Sequence, residues 1–351
     1  MRICFLEGDM SRSGGTERMT AWLANSLCQS HTVHILSLRL QSEVFFPLDE
    51  RVCHQVLPAA SGKLGILHQI RAIHRYIKEN KIDCVINVDM GMGFYGILAA
   101  KGTGARVVTW EHGNFYNNWG SRVFPYLRRF AARRSDAVVV LTERDRENYE
   151  KNISGCAPLH VIHNPCEMGA YRYDESSRTI LSVGHLLENK GYHRAVEMAA
   201  QLLPERPDWR WVICGEGPER PRLEQLIREK SLEGCVLLPG LQKDLKPLYE
   251  SAALLVMTSE MEGLPMVLLE GKAHGLPLAA FDIMTGPAEI IRDGVNGVLV
   301  PPFDTGTMAR RLAALLDDDA LRAEMSRNAA LDAEQFAEEN ILKLWEKVLS
   351  V

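Results

Sequence analysis

The chain has 351 residues, enough for two domains that each bury a core of their own. Apolar residues make up 46% and charged residues 24%, which excludes a disordered or low-complexity protein; no window reaches the run of about 18 uncharged apolar residues that a membrane-spanning helix needs. The net charge of -5 is unevenly divided: residues 1–165 hold 20 Lys and Arg against 15 Asp and Glu, and the remainder holds 20 against 30. The first half is therefore basic and the second acidic, and an acidic whole argues against nucleic acid as a partner.

Met1-Arg2-Ile3-Cys4-Phe5-Leu6 predicts a first strand over 2–7, too short for the apolar region of a signal peptide. Gly14-Gly15-Thr16-Glu17-Arg18 then leads into a helix over 15–29, in which Met19, Leu23 and Leu27 recur at helical spacing. Read alone, the Gly-Gly pair is a tight turn before a helix. Further strands are expected at 32–38, 84–88, 106–110, 137–141 and 159–162, with a helix at 66–80. Trp110-Glu111-His112-Gly113 ends a buried strand, where a lone histidine is more often structural than catalytic. The segment 119–135 carries Arg122, Arg128, Arg129, Arg133 and Arg134, interleaved with Phe124, Tyr126, Leu127 and Phe130, and holds no acid. Such a helix is either a solvated face with its aromatics turned inward or a surface for an anionic membrane or a lipid diphosphate.

His163-Asn164-Pro165 closes the first series, and the polar stretch Tyr171 to Arg178 reads as part of a linker over 166–178. A second series follows, with strands near 179–183, 210–214, 235–238, 253–257, 278–281 and 297–300. The connections carry Ser182-Val183-Gly184-His185-Leu186-Leu187-Glu188-Asn189-Lys190-Gly191, then Val212-Ile213-Cys214-Gly215-Glu216-Gly217-Pro218, and later Gly294-Val295-Asn296-Gly297-Val298-Leu299-Val300. Between them lies the most informative segment, Thr258-Ser259-Glu260-Met261-Glu262-Gly263-Leu264-Pro265-Met266-Val267-Leu268-Leu269-Glu270-Gly271. Here Glu262 and Glu270 bracket the change from loop to helix, Gly263 lets a ligand approach the backbone, and Pro265 suits a first helical turn. The N–H groups of that turn and its partial positive charge can hold a diphosphate without a metal, while the flanking carboxylates accept hydrogen bonds from sugar hydroxyls. From 331 to 351 Phe336, Ile341, Leu344, Trp345 and Val348 form one helical stripe. Short apolar runs alternating with amphipathic stretches make the fold class α/β, with parallel sheets covered by helices and ligands at the carboxyl ends of the strands.

These five motifs, in this order along nearly the whole chain, resemble the family 4 retaining glycosyltransferases of the GT-B fold, and within them the bacterial enzymes of capsule, O-antigen and exopolysaccharide synthesis. The resemblance implies two Rossmann-like domains facing across a cleft. It divides the chain into an acceptor- and membrane-facing domain (1–165), a linker (166–178), a nucleotide-sugar domain (179–330) and a terminal helix packing back on the first domain (331–351).

The resemblance also implies roles. Lys190 would neutralise the phosphates and the departing nucleotide diphosphate, the costly event of the reaction. Glu262 would accept from hydroxyls of the transferred sugar, with Gly263, Leu264 and Pro265 supplying backbone beside it, and Glu270 would accept from the ribose. Gly14 and Gly15 would approach the diphosphate, and His112 would contact the sugar near the reacting carbon. His185 stands where most relatives carry an arginine, and an imidazole makes no bidentate fork to phosphate. Gly215 and Gly217 lack the third glycine of a dinucleotide fingerprint, with Arg220 at its place; the base would lie near this loop and near Gly240-Leu241-Gln242. The implied reaction moves a hexose or N-acetylhexosamine from a nucleotide sugar, UDP-linked by expectation, to a lipid-linked or polysaccharide acceptor. Configuration is retained, and the departing phosphate takes the proton.

No cofactor and no metal are expected. Asp317-Asp318-Asp319, the one Asp-x-Asp, reads as helix capping, and His31/His34 and His160/His163 lack the partners of a zinc site. Eight scattered cysteines without a Cys-x-x-Cys pair read as reduced and imply a cytosolic compartment; the resemblance implies a peripheral position on the inner face of the cell membrane. Three rivals remain: a UDP-sugar 2-epimerase of the same fold, a catalytically silent sugar-nucleotide-binding subunit, and a two-lobed periplasmic binding protein, which would need an export signal.

Overall fold

The computed structural model describes residues 1–58, 62–168 and 171–350. It divides into one unit of Met1–Asn164 with Ile341–Val351 and a second of Pro165–Asn340. The first contains β1 (Arg2–Glu7), α1 (Gly15–Leu27), β2 (Thr32–Ser37), β3 (Cys53–Val56), α2 (Gly62–Glu79), β4 (Cys84–Val88), α3 (Met90–Ala100), β5 (Arg106–Trp110), α4 (Phe124–Arg134), β6 (Ala137–Val140), α5 (Glu143–Asn152) and β7 (Leu159–Val161). Its strands pair in parallel in the order β3-β2-β1-β4-β5-β6-β7. β1, β4 and β6 are almost wholly buried because they lie inside a sheet covered on both faces. β3 is the exception, and the sequence reading passes over it: Cys-His-Gln-Val is polar and mostly exposed, as an edge strand allows.

The second unit holds β8 (Thr179–Val183), α6 (Tyr192–Leu202), β9 (Arg210–Cys214), α7 (Arg220–Glu229), β10 (Val236–Leu237), α8 (Lys246–Ser251), β11 (Leu254–Met257), α9 (Met266–Ala273), β12 (Leu278–Phe281), α10 (Pro287–Ile290), β13 (Gly297–Val300), α11 (Thr305–Asp317) and α12 (Asp319–Asp332). The six strands run parallel in the order β10-β9-β8-β11-β12-β13. In both sheets the winding reverses beside the first strand, between β1 and β4 and between β8 and β11. In open α/β sheets that switch point is where ligands bind, beyond the strand ends.

Two boundaries differ from the sequence expectation. The stretch 166–178, read as a linker, is tied into the second unit wherever it is described. Cys166 N–H donates to Phe336 O, Tyr171 Oη lies 2.9 Å from Ser326 Oγ, and Tyr173 Oη donates to Ala253 O. The terminal stretch is not one helix from Leu331. α12 ends at Asp332, a 3-10 turn spans Ala333–Phe336, and α13 (Glu338–Leu349) follows. Phe336 accordingly belongs to the second unit, against the Lys272 ammonium. Ile341, Trp345 and Val348 are buried in the first unit, where Trp345 meets Trp110 edge-on at 4.7 Å and His31 lies 3.2 Å from Glu346. Burying side chains of this size contributes about 1.5–3 kcal/mol each, which fixes α13 to that sheet.

Candidate active site

At the switch point of the second sheet three connections meet. The chain leaving β8 turns at Gly184, whose N–H donates to Cys214 O, and the loop after β9 lies directly against it. A Cβ on Gly215 would stand 1.9 Å from Gly184 O, and one on Gly217 2.4 Å from Leu186 O. Both glycines therefore serve backbone-to-backbone contact, sealed by Leu186 N–H to Glu216 O and Glu219 N–H to Leu186 O. Lys190 ends a 3-10 turn (Glu188–Lys190) that Gly191 closes at φ +64°, with Thr258 O only 2.5 Å from the place of a Cβ. His185 is exposed on the same loop.

The segment after β11 is bound to that turn. Thr258 Oγ1 donates to Lys190 O at 2.8 Å, Glu260 N–H donates to Asn189 O at 2.8 Å, and Arg194 pairs with Glu260 at 2.5 Å. The Lys190 ammonium and the Glu262 carboxylate then meet at 2.5 Å, with 25% and 15% of their side chains exposed. Thr285 Oγ1 donates to Glu262 O at 2.6 Å. Gly286, at φ +101°, has room only for hydrogen because Pro265 Cδ and Gly263 O lie 2.6 and 2.8 Å from where its Cβ would be. Thr285-Gly286-Pro287 thus braces the 262–265 loop.

α9 starts one residue later than read from the sequence, with Pro265 as its N-cap. Leu268 and Leu269 N–H both turn back to Pro265 O, and the N–H groups ahead of them project from the helix end, where partial positive charge favours an anion. Along the same helix Glu270 accepts from Tyr249 Oη at 2.6 Å, and the Tyr249 ring stacks on His274 at 5.0 Å. One ammonium, one helix end and two oriented carboxylates can therefore hold an anion bearing hydroxyl groups. Lys190, Glu262, Gly263, Leu264 and Pro265 come together here. The 72-residue gap between Lys190 and Glu262 gives no sequence signal for their pairing, and nothing local to Tyr249 signals its place against Glu270.

In the first unit Gly14 caps α1 and Gly15 begins it. Glu17, three residues past the cap, reaches back to the Gly14 backbone, so that a Cβ at Gly14 would lie 2.3 Å from Glu17 Oε2. Glycine has no side chain to return the bond, so this is the glutamate half of a capping box, legible in the Gly-x-x-Glu spacing. Glu17 and Glu7 are both buried, and Glu7 accepts from Gly8 N–H and Thr20 Oγ1. Burial, reinforced by the charges of Glu17 and Asp89, pushes the Glu7 carboxyl up to about 8.

His112 follows β5 with its ring on Trp110 at 4.0 Å. Its Nε2 is enclosed without a hydrogen-bond partner, and burial holds its pKa down to about 3, so the ring is neutral. Beside it, Glu111 accepts from Gly113 N–H and Tyr149 Oη. Arg128 corrects the sequence reading: it does not belong to the outer basic face. Its side chain is 2% exposed, 3.6 Å from Glu111, and donates to Asn114 O, Asn117 O and Asn118 Oδ1. The segment 111–118 is further held by Phe115 N–H to Asp145 Oδ1. Asp89 and Asp145 share this site, and burial together with the Glu111 charge raises both to about 7.

Arg122, Arg129, Arg133 and Arg134 are exposed, Arg133 donating to Ser154 O. Trp119, Val123 and Tyr126 stand out beside them, at 62%, 61% and 71% exposure. The other singled-out residues have local tasks. His31 meets Glu346, His34 meets Tyr76, and His163 meets Leu141 O. Asp318 caps α12 through Leu321 N–H, and Asp317 pairs with Arg206. Among the described residues no three His, Cys, Asp or Glu side chains are grouped to hold a metal ion, and no helix is long and apolar enough to cross a membrane.

Residues 167–332 match the family described as "Glycosyl transferases group 1", and residues 13–168 match "Glycosyltransferase Family 4". An exopolysaccharide phosphotransferase of Streptomyces coelicolor is 31% identical over the whole chain, although the chain spans only 41% of that protein. An undecaprenol-linked-glycan α-1,4-N-acetyl-D-galactosaminyltransferase of Campylobacter jejuni is 28% identical, with 100% of this chain and 98% of that one covered. Among solved structures, Anabaena Alr3699/HepE in complex with UDP superposes over all of both chains with a TM-score of 0.86 at 19% identity. The two parallel sheets with flanking helices of this chain are those of the GT-B fold, and with both halves matched the chain belongs to the family 4 glycosyltransferases.

Proposed function

We propose that the protein transfers a hexose or N-acetylhexosamine from a nucleotide sugar, UDP-linked, to a lipid-linked or polysaccharide acceptor in bacterial surface-glycan synthesis, with retention of configuration and without a metal ion. The observation that carries this reading is the meeting of Lys190 and Glu262 at the N-terminal end of α9, with Glu270 oriented by Tyr249. Lys190 and the helix end supply fixed positive charge where the departing diphosphate develops its own, so the site has what leaving-group departure requires. Glu262 takes hydroxyls of the sugar, Glu270 those of the ribose, and backbone at Gly263, Leu264 and Pro265 lies alongside.

The Gly215–Gly217 and Gly240–Gln242 loops border the base, and His185 reaches the phosphates as a weaker substitute for arginine. The departing phosphate oxygen takes the acceptor's proton, so no side-chain base is assigned. Two comparisons support the ligand classes: the Campylobacter relative is named for an undecaprenol-linked substrate, and the Anabaena structure contains UDP. The exposed Arg122, Arg129, Arg133 and Arg134, with Trp119, Val123 and Tyr126, support an anionic membrane surface as partner and a position on the cytoplasmic face. The test is incubation with UDP-, GDP- and ADP-sugars and polyprenyl-diphosphate-linked acceptors, with a chelator present. A glycosylated product that keeps the donor's anomeric configuration supports the reading. Epimerised nucleotide sugar formed without acceptor, or no product from any pair, overturns it.

A further inference from the structure

We propose that Tyr249 is a positioning residue that acts through Glu270 and makes the donor site favour a ribonucleotide over one whose ribose hydroxyls are missing. The proposal rests on the donor-site reading above, in which Glu270 receives the ribose hydroxyls, and adds to it the device that holds that carboxylate in place.

α8 follows the Gly240–Gln242 loop in the chain and carries Tyr249, whose side chain is buried. Its hydroxyl donates to Glu270 Oε2 at 2.6 Å. The ring that bears this hydroxyl lies on the His274 imidazole, with 5.0 Å between centroids and 23° between planes. His274 Nδ1 is 2.9 Å from Glu270 O, and because a carbonyl only accepts, Nδ1 carries the proton. Glu270 is thus held twice, at its carboxylate by Tyr249 and at its carbonyl by the imidazole on which Tyr249 rests. A glutamate side chain has three torsions whose freedom is lost when it binds a ligand. Here the phenol holds them in the free protein, so ribose hydroxyls meet an acceptor already in place. Glu270 is only half-buried, and a carboxylate has about four acceptor sites, so accepting from Tyr249 leaves capacity for a ligand. A sugar without those hydroxyls draws nothing from the held carboxylate and leaves it unmatched. A tyrosine that merely filled space would serve both kinds of nucleotide alike.

Calorimetric titration of the full chain with UDP, GDP and ADP identifies the preferred nucleotide, and the same titration with its 2′,3′-dideoxy analogue gives the ratio of the two affinities. Tyr249→Phe removes only the hydroxyl and keeps the ring on His274, and a matching melting temperature without nucleotide establishes that it is folded. It should bind the ribonucleotide on the order of ten-fold more weakly and the dideoxy analogue as wild type does. His274→Leu keeps the hydroxyl but removes the stack, and should narrow the ratio by a smaller factor, about three-fold. In a Glu270→Ala background the ratio should already be lost, and adding Tyr249→Phe should change neither affinity. Equal weakening of both nucleotides by Tyr249→Phe, or an unchanged ratio, overturns the proposal and leaves the donor site standing. If Tyr249→Phe does not fold, an unchanged ratio in His274→Leu does the same. Wild type that binds the two nucleotides equally, or binds none, overturns the placement of the ribose at Glu270 and the proposal together.

Discussion

Gly215 lies so close to Gly184 that a Cβ at position 215 would stand 1.9 Å from the Gly184 carbonyl oxygen. The loop carrying Lys190 and the loop after β9 are thus set against each other by main chain, and neither can move without the other. Gly215→Ala should cost about 3 kcal/mol, since overpacking against fixed backbone has no flexible side chain to displace. Gly234, with nothing within 4 Å of its Cβ position, is the control, and Gly234→Ala should fall within about 0.5 kcal/mol of wild type. Urea denaturation of the two variants measures the difference.

Arg128 and Arg129 are neighbours in sequence with opposite fates. Arg128→Met removes the cation facing buried Glu111 and releases the carbonyls of Asn114 and Asn117, so a loss of about 3–5 kcal/mol is expected. Arg129→Ala, on the exposed face, should change stability by no more than about 0.5 kcal/mol. Equal effects in denaturant would contradict the burial of Arg128.

How far such a distinction was legible depends on the element. The inward stripe of α4 is Phe124, Arg128, Ala131 and Ala132, which is helical spacing, so the sequence held the clue that Arg128 turns inward. Its partners, however, lie on the β5 loop and on α5, and pairing across elements leaves no local pattern. The buried strands of both sheets were readable because they are continuous apolar runs. β3 was not, because an edge strand of Cys-His-Gln-Val carries no such run. The turn at Ala333–Phe336 interrupts what looked like one amphipathic helix because Phe336 packs on Lys272 rather than continuing the stripe. At the candidate site the residue types were legible, but the Lys190–Glu262 contact and the Tyr249 hydroxyl on Glu270 arise only when β8, β11 and α8 are brought side by side.

Stability should fall as pH rises through neutrality. Burial holds the Glu7 carboxyl up at about 8, and Asp89 and Asp145 at about 7. A carboxyl whose folded pKa lies above its unfolded value binds more protons in the folded state. Its contribution is complete below the unfolded value and is lost as pH climbs through the folded one. Each such group costs up to about 1.4 kcal/mol per pH unit across that window. Glu7→Gln should therefore flatten the decline in melting temperature between pH 5 and pH 9 and exceed wild type at the alkaline end. A wild-type melting temperature that rises over the same range would contradict this.

Arg122 and Arg129, with Tyr126 and Trp119, should bind vesicles that contain anionic lipid. At about 1 kcal/mol per arginine near an anionic surface, Arg122→Ser with Arg129→Ser should reduce sedimentation with such vesicles on the order of ten-fold or more. Neutral vesicles should bind weakly throughout, and raised salt should reproduce the loss. Binding that is indifferent to lipid charge would remove this face from the account.

The most direct measurement is a thermal-shift comparison of wild type and Lys190→Ala against UDP, GDP, ADP and a panel of their sugars, each with a chelator. At about 100 times its dissociation constant a ligand contributes roughly 2.7 kcal/mol, enough to raise the melting temperature by several degrees. The account predicts such a shift for wild type with one nucleotide and its sugar, undiminished by the chelator and lost in Lys190→Ala. No shift with any nucleotide, or an equal shift in the Lys190 variant, would contradict the placement of the diphosphate at Lys190 and the end of α9.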